Sequence, residues 1–164
     1  MKKLISICGS DIGDKNLSAK ALAISEDLGK NIAKKGGVVI CGGHGGVMES
    51  VCKGAKSEGG ITVGIMPFGK NEANKYIDIA IPTFLGNIRN YLVASAGNVM
   101  IAIGGRWGTL NEITYRIITG KPLILIKGTG GSVDEFIKNK YDNNSNIYIV
   151  KSAKDAVEKA FELI

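Results

Sequence analysis

Three glycine-rich segments stand beside residues able to handle an anion. They are Gly9-Ser10-Asp11-Ile12-Gly13, Gly42-Gly43-His44-Gly45-Gly46-Val47-Met48-Glu49 and Gly104-Gly105-Arg106-Trp107-Gly108-Thr109-Leu110-Asn111-Glu112. A glycine-rich turn that runs into a helix N-terminus presents backbone N–H groups beside a positive dipole end, and the usual guest there is phosphate. Glycine suits such a turn because a Cβ would block close approach and because the turn needs positive φ. The candidate ligand-binding residues are therefore Gly9 and Ser10 from the first segment, Gly42, Gly43, His44, Gly45, Gly46 and Glu49 from the second, and Gly104, Gly105, Arg106, Trp107, Gly108 and Thr109 from the third. All three arginines, Arg89, Arg106 and Arg116, fall within 28 residues. Arginine is the better bidentate ligand for phosphate or carboxylate, so this window is a candidate anion site.

The acidic and aromatic residues near these loops carry two readings each. Thr109-x-x-Glu112 has the spacing of a capping box, in which Glu112 would only close a helix end. Glu112 would equally serve as a carboxylate on a cleft floor, stabilising an oxocarbenium-like sugar cation or attacking it in glycosidic cleavage. Glu49 is placed either to favour a helix dipole or to touch a ligand. His44 is the single histidine; without partner ligands at metal spacing it points to a hydrogen bond with ligand or backbone, not to a metal. Trp107 is either a stacking platform or a subunit contact. Cys8 and Cys41 end apolar runs and read as core fillers.

No segment spells GxGxxG, and no acid sits about 20 residues on to hold a ribose, so a dinucleotide site is not indicated. Gly64-Ile65-Met66-Pro67-Phe68-Gly69-Lys70-Asn71 approaches a Walker A loop. Asn71 stands where Ser or Thr must hold magnesium, Pro67 lies inside, and no helical period follows, so we read a strand-end turn.

Positioning these loops requires alternating strands and helices. Apolar, β-branched runs predict strands at Lys3–Cys8, Val38–Cys41, Ile61–Met66, Ile77–Ile81, Val99–Ile103, Leu123–Ile126 and Ile147–Val150. Their near-continuous hydrophobicity is that of strands buried on both faces. Helical spacing predicts helices at Asn16–Lys35, Gly46–Ser57, Asn87–Gly97, Thr109–Thr119, Val133–Asn139 and Ala153–Leu163. Ser132…Glu135 and Ser152…Asp155 look like capping boxes, and Gly36-Gly37 and Gly120 like helix stops. The stretch Asp142–Asn146 reads as a polar loop. The pattern is that of an α/β fold: a Rossmann-like, doubly wound, mainly parallel sheet with helices on both faces, forming one domain over residues 1–164. In such sheets ligands bind beyond the carboxyl ends of the strands, where the glycine segments fall.

Composition narrows the partners. The chain has 164 residues, 45% hydrophobic and 22% charged, with 23 glycines, about twice the usual share, and 3 prolines. No apolar run reaches membrane-spanning length, and the start of the chain lacks the long apolar stretch of a signal peptide. Three cysteines without CxxC spacing exclude a disulfide framework or zinc site and fit a cytoplasmic setting. Net charge is +6, carried by 18 lysines against 3 arginines. The lysines are scattered, which describes a solvated surface and not a nucleic-acid face.

The motifs bear a resemblance as well. Gly42 to Glu49 resembles the GG-x-x-G-[LV]-M loop of the LOG ("lonely guy") superfamily, Gly104 to Glu112 resembles its PGGxGTxxE motif, and Arg89 in Asn87-Ile88-Arg89-Asn90 stands where that family has its motif arginine. Thr62 to Pro67, Glu72-Ala73-Asn74, Tyr76 to Pro82 and Arg89-Asn90 resemble the short proteins similar to the molybdenum-cofactor carrier. The likeness runs from about residue 3 to residue 127. It implies a Rossmann-like fold and a homodimer or homotetramer. Enzymes of the superfamily cleave the N-glycosidic bond of nucleoside 5′-monophosphates; in them the residues matching Arg89 and Glu112 are catalytic and the GGxGT loop cradles phosphate. The carrier branch binds molybdopterin without turnover. Here Gly104 replaces the motif's proline, Arg106 replaces its second glycine, and Glu49 replaces the glycine usual in the enzymes. These departures point to the carrier-like branch. The function expected is a carrier or sensor of a phosphorylated heterocycle, a nucleoside monophosphate or a molybdopterin-like pterin, held between the glycine loops. The alternative is a phosphoribohydrolase in which Arg89 positions the phosphosugar and Glu112 stabilises charge at C1′. No cofactor is implied apart from that ligand, molybdenum cofactor or nucleotide.

Overall fold

The computed structural model describes residues 1–15, 17–139 and 146–164. Seven strands, β1 (Leu4–Gly9), β2 (Val38–Cys41), β3 (Ile61–Met66), β4 (Ile79–Pro82), β5 (Val99–Ile103), β6 (Leu123–Ile126) and β7 (Ile147–Val150), form one sheet in the order β4-β3-β2-β1-β5-β6-β7. Every pairing is parallel. The helices are α1 (Ala19–Lys34), α2 (Val47–Ser57), α3 (Asn90–Ala96), α4 (Trp107–Ile118), α5 (Gly131–Asn139) and α6 (Ala153–Glu162). This is the Rossmann-like α/β architecture expected.

The strands alternate their apolar side chains between two helical layers. Ile5, Ile7, Val99, Ile101 and Ile103 pack with α1, α2 and α6, while Cys8, Met100 and Ala102 face α3, α4 and α5. Each fully buried Ile, Leu or Val contributes about 1.5–3 kcal/mol, so a chain with apolar residues at both parities must be covered on both faces. Among the described residues no helix is long and apolar enough to cross a membrane.

Several boundaries differ from the sequence-based expectation. The expected start of the first helix, Asn16, lies outside the described residues, as does all of the Asp142–Asn146 loop but its last residue. The helix itself begins at Ala19 because the Ser18 hydroxyl accepts from the Ala21 amide. It ends as expected: Gly36 adopts φ 74°, and Gly36 and Gly37 donate to the carbonyls of Ala33 and Ile32. The fourth strand is Ile79–Pro82, because Thr62 takes up Asp78 through both backbone and side chain just before it. The helix expected at Asn87–Gly97 is a 3-10 turn, Gly86–Arg89, leading into α3. Ser152…Asp155 is a true cap. Ser132 is not: α5 starts at Gly131, and Asp134 instead accepts from the Gly128 and Gly130 amides. The near-Walker segment is a strand end, Met66, followed only by a 3-10 turn, Lys70–Glu72.

Candidate functional site: a polarised cleft at the sheet switch point

The strand order reverses at β1, which has β2 on one side and β5 on the other. That reversal leaves a crevice beyond the carboxyl ends of β1 and β5. A cleft of about 510 Å³ lies there, a size suited to a small ligand. Of the residues expected at a site, Gly9, His44, Arg89, Arg106, Gly108, Thr109 and Glu112 line it. Sequence reasoning missed Asn87, Pro67, Phe68 and Glu72 as wall residues; Pro67 and Phe68 lie in the near-Walker segment, read only as a strand-end turn.

At the floor, Arg89 and Glu112 meet. Arg89 Nη1 lies 3.9 Å from Glu112 Oε1, and each side chain is 9% exposed. Arg89 Nε is buried without a hydrogen-bond partner. Burial pushes the Glu112 carboxyl up to about 8; the Arg89 charge and a hydrogen bond with Cys8 offset only part of that. Glu112 is therefore mostly protonated at neutral pH. The Cys8 thiol, expected as core filler, does end its strand buried, but it also lies against Glu112 and on the cleft wall, and burial raises it well above its ordinary value.

The capping-box reading of Glu112 is corrected by the helix start. α4 begins at Trp107, so Thr109 already lies inside the first turn and Glu112 a turn beyond. No side chain caps this helix end, whose N-cap residue is Arg106. The amides of Trp107, Gly108 and Thr109 are consequently the free donors of the N-terminus, with the positive dipole end behind them.

The twin glycines serve differently from the expected anion cradle. Gly104 N donates to Thr129 Oγ1 at 2.9 Å and Gly105 N to Ser10 Oγ at 2.7 Å. Both amides are thus already satisfied. Gly104 and Gly105 hold φ of 59° and 88°, and their carbonyls accept from Val133 and Ser132 at the start of α5. Ser10 is 1% exposed and acts as a clamp: its carbonyl also accepts from Val47 N at 2.9 Å, seating α2. Gly42 leaves room for the Arg89 guanidinium, which a Cβ there would strike. A Cβ at Gly43 would strike Met66 Sδ, and one at Gly46 the Ser10 carbonyl. Gly45 packs beside Ile12. These glycines frame the site and do not line it.

His44 reaches the cleft mouth from the β2–α2 loop. Its Nδ1 lies 3.3 Å from Asp11 Oδ2 and its Nε2 3.6 Å from Glu72 Oε2. The Asp11 carboxyl is held below its ordinary value, chiefly by the hydrogen bond with His44 and despite partial burial. Asn74 pins the loop by donating to the Gly43 and His44 carbonyls at 3.0 and 2.8 Å. Like Ser10 and the framing glycines, Glu49, Trp107 and Arg116 stay off the cleft wall. Glu49 is half-buried on α2, where its neighbour Met48 lines the cleft instead. Trp107 is 78% exposed and borders a separate pocket of about 150 Å³ with Gly105, Arg106, Ser132 and Glu135. Arg116 is fully buried and spends its guanidinium on the carbonyls of Ala94, Gly97, Asn98 and Pro122 at 2.6–3.0 Å. It is a structural clamp and no phosphate ligand. Cys41 is a buried core residue, as expected, with its sulfur 3.6 Å from that of Cys52. No cluster of metal-ligating residues occurs among the described residues.

With that geometry in view, the kinship is clear. The model of the SLOG cluster4 family matches residues 2–157. The chain belongs to this SLOG family. A molybdenum cofactor binding protein from the phototrophic bacterium Rippkaea orientalis is 31% identical, superimposes with a TM-score of 0.88, and is covered over 98% of its length by 99% of this chain. The molybdenum cofactor carrier protein of Chlamydomonas reinhardtii is 30% identical with a TM-score of 0.86 over the same shares. A probable cytokinin riboside 5′-monophosphate phosphoribohydrolase of Oryza sativa subsp. japonica is 26% identical over 94% of this chain and 74% of its own. These relatives support a SLOG-type ligand-binding or carrier role.

Proposed function

We propose that this SLOG protein binds a phosphorylated heterocycle, a nucleoside monophosphate or a molybdopterin-like pterin, as a carrier or sensor. The phosphate is held at the uncapped N-terminus of α4 by the amides of Trp107, Gly108 and Thr109, with Arg106 and the unpartnered Nε of Arg89 beside it. The ring lies toward His44, Asp11 and Glu72.

The single observation that carries binding over turnover is the burial of Glu112, whose side chain is 9% exposed with Arg89 3.9 Å away. A carboxylate must be ionised to stabilise an oxocarbenium-like cation or to attack it. Burial pushes this one up to about 8, and the Arg89 guanidinium 3.9 Å away and a hydrogen bond with Cys8 offset only part of that. A protonated Glu112 donates a hydrogen bond to its guest and contributes no negative charge. The phosphoribohydrolase reading rests on one feature, the adjacency of Arg89 and Glu112, which matches the catalytic pair of the superfamily's enzymes.

The deciding experiment incubates the protein with AMP, GMP, CMP, UMP and IMP beside its Glu112→Gln variant, resolving base from nucleotide by chromatography, while mass spectrometry identifies any co-purifying phosphorylated ligand. Binding without base release is expected. Base released by the wild type and not by the variant would establish the hydrolase instead.

A further inference from the structure

Two clusters of opposite charge line the cleft. One, the phosphate end of the proposed function, holds Arg89, Arg106 and the first-turn residues Gly108 and Thr109 of α4; the other holds Asp11 and Glu72 around His44. A guest satisfying both ends needs an anion at one end and a row of hydrogen-bond donors at the other. Arg89 lines the same cleft, its side chain is nine-tenths buried, and its Nε has no hydrogen-bond partner, which independently marks this as a place for a ligand.

The acidic end has a definite construction. Asp11 has a partner at each oxygen, the Ile12 amide at Oδ1, 2.7 Å away, and His44 at Oδ2. His44 stands between the two carboxylates, with Nδ1 toward Asp11 and Nε2 toward Glu72. Glu72 approaches that ring through Oε2 alone, at 3.6 Å, and has no other side-chain partner among the described residues. Glu72 therefore keeps acceptor capacity directed at the cleft it lines, on a side chain 45% exposed.

We propose that Glu72 reads the donor edge of a 2-amino-4-oxopyrimidine ring, the edge shared by guanine and pterins. That edge places a ring N–H beside an exocyclic NH₂, two adjacent donors that match the two oxygens of one carboxylate. Hypoxanthine retains only the ring N–H. Adenine sets an acceptor beside its amino group and so meets the carboxylate with a lone pair. The ligand class is thus narrowed to guanine nucleotides and phosphorylated pterins. This inference rests on the phosphate-end reading above.

Calorimetry with GMP, IMP, AMP and ribose 5-phosphate tests both layers separately. The expected result is GMP tighter than IMP by about 10- to 100-fold, the ratio that corresponds to one charge-assisted hydrogen bond, with AMP weaker still and ribose 5-phosphate binding weakly. Glu72→Gln presents one donor and one acceptor and should bring the GMP-to-IMP ratio close to one, leaving ribose 5-phosphate affinity and melting temperature as in the wild type. If ribose 5-phosphate binds but GMP and IMP bind equally, the phosphate end stands and the role of Glu72 is overturned. The same holds if Glu72→Gln keeps the wild-type ratio. If neither ribose 5-phosphate nor any nucleotide binds, the phosphate-end reading fails and takes this one with it.

Discussion

Gly42→Ala separates the site from the scaffold. A Cβ at Gly42 would collide with Arg89 Nη1 and lie 2.7 Å from Nη2 and 2.8 Å from Cζ. Gly42 is not among the positive-φ glycines, so its backbone accepts alanine. The obstructed group is the end of a flexible side chain, which rotates away at a cost of about 1 kcal/mol. The loss of glycine's freedom in the unfolded chain offsets part of this. For a chain of this size the melting temperature should fall by no more than about 2–4 °C. Binding should suffer far more. A guanidinium–phosphate hydrogen bond is worth about 1.5–3 kcal/mol, so affinity should drop roughly 10- to 100-fold. Withdrawal of the Arg89 charge also removes the larger of the two influences that oppose burial at Glu112, so that carboxyl should rise further above about 8. Calorimetric titration with GMP and a thermal melt on the same preparations check both parts. Affinity within twofold of the wild type would refute the assignment of Arg89 to the anion. A collapse of the melting temperature would refute the claim that the guanidinium can yield.

Stability should depend on pH through Glu112. Its folded value of about 8 exceeds the ordinary 4.5, so the folded protein keeps a proton that the unfolded chain loses. That contribution is fully present below about pH 4.5 and is lost as pH rises to about 8; relative to Glu112→Gln, urea denaturation should show the wild type weakening by a few kcal/mol across that window, and parallel profiles would refute it. Arg116→Met should cost at least about 3 kcal/mol in the same assay, because four carbonyls lose their donor; a loss below about 1 kcal/mol would contradict the clamp. Ser10→Ala strands the Gly105 amide and should cost about 1–3 kcal/mol while weakening GMP binding, and unchanged affinity would show that the loop does not need its clamp.

The fold was legible because Val, Ile and Leu runs such as Val99–Ile103 are buried at both parities, which admits only a covered parallel sheet. The floor of the site was legible from Arg89, Glu112 and the third glycine segment. The roles within it were less so. A capping box and a buried carboxylate share the Thr109-x-x-Glu112 spelling, and only the start of α4 at Trp107 separates them. The twin glycines read as phosphate donors, yet Ser10 and Thr129, distant in sequence, consume their amides. Arg116 looked like its neighbours in the arginine window, but its one-turn offset from Glu112 turns it toward the carbonyls of the α3–β5 connection. Glu72 was invisible as a wall residue because its approach to His44 spans separate loops.

The hydroxyls of Ser10 and Thr129 have a thermodynamic consequence. By holding the Gly104 and Gly105 amides they freeze the approach to α4 during folding, before any guest arrives. Association then need not order this loop, and the entropic penalty usual for flexible phosphate loops falls away. On the proposed reading, the anchoring end is a socket already set before the guest arrives.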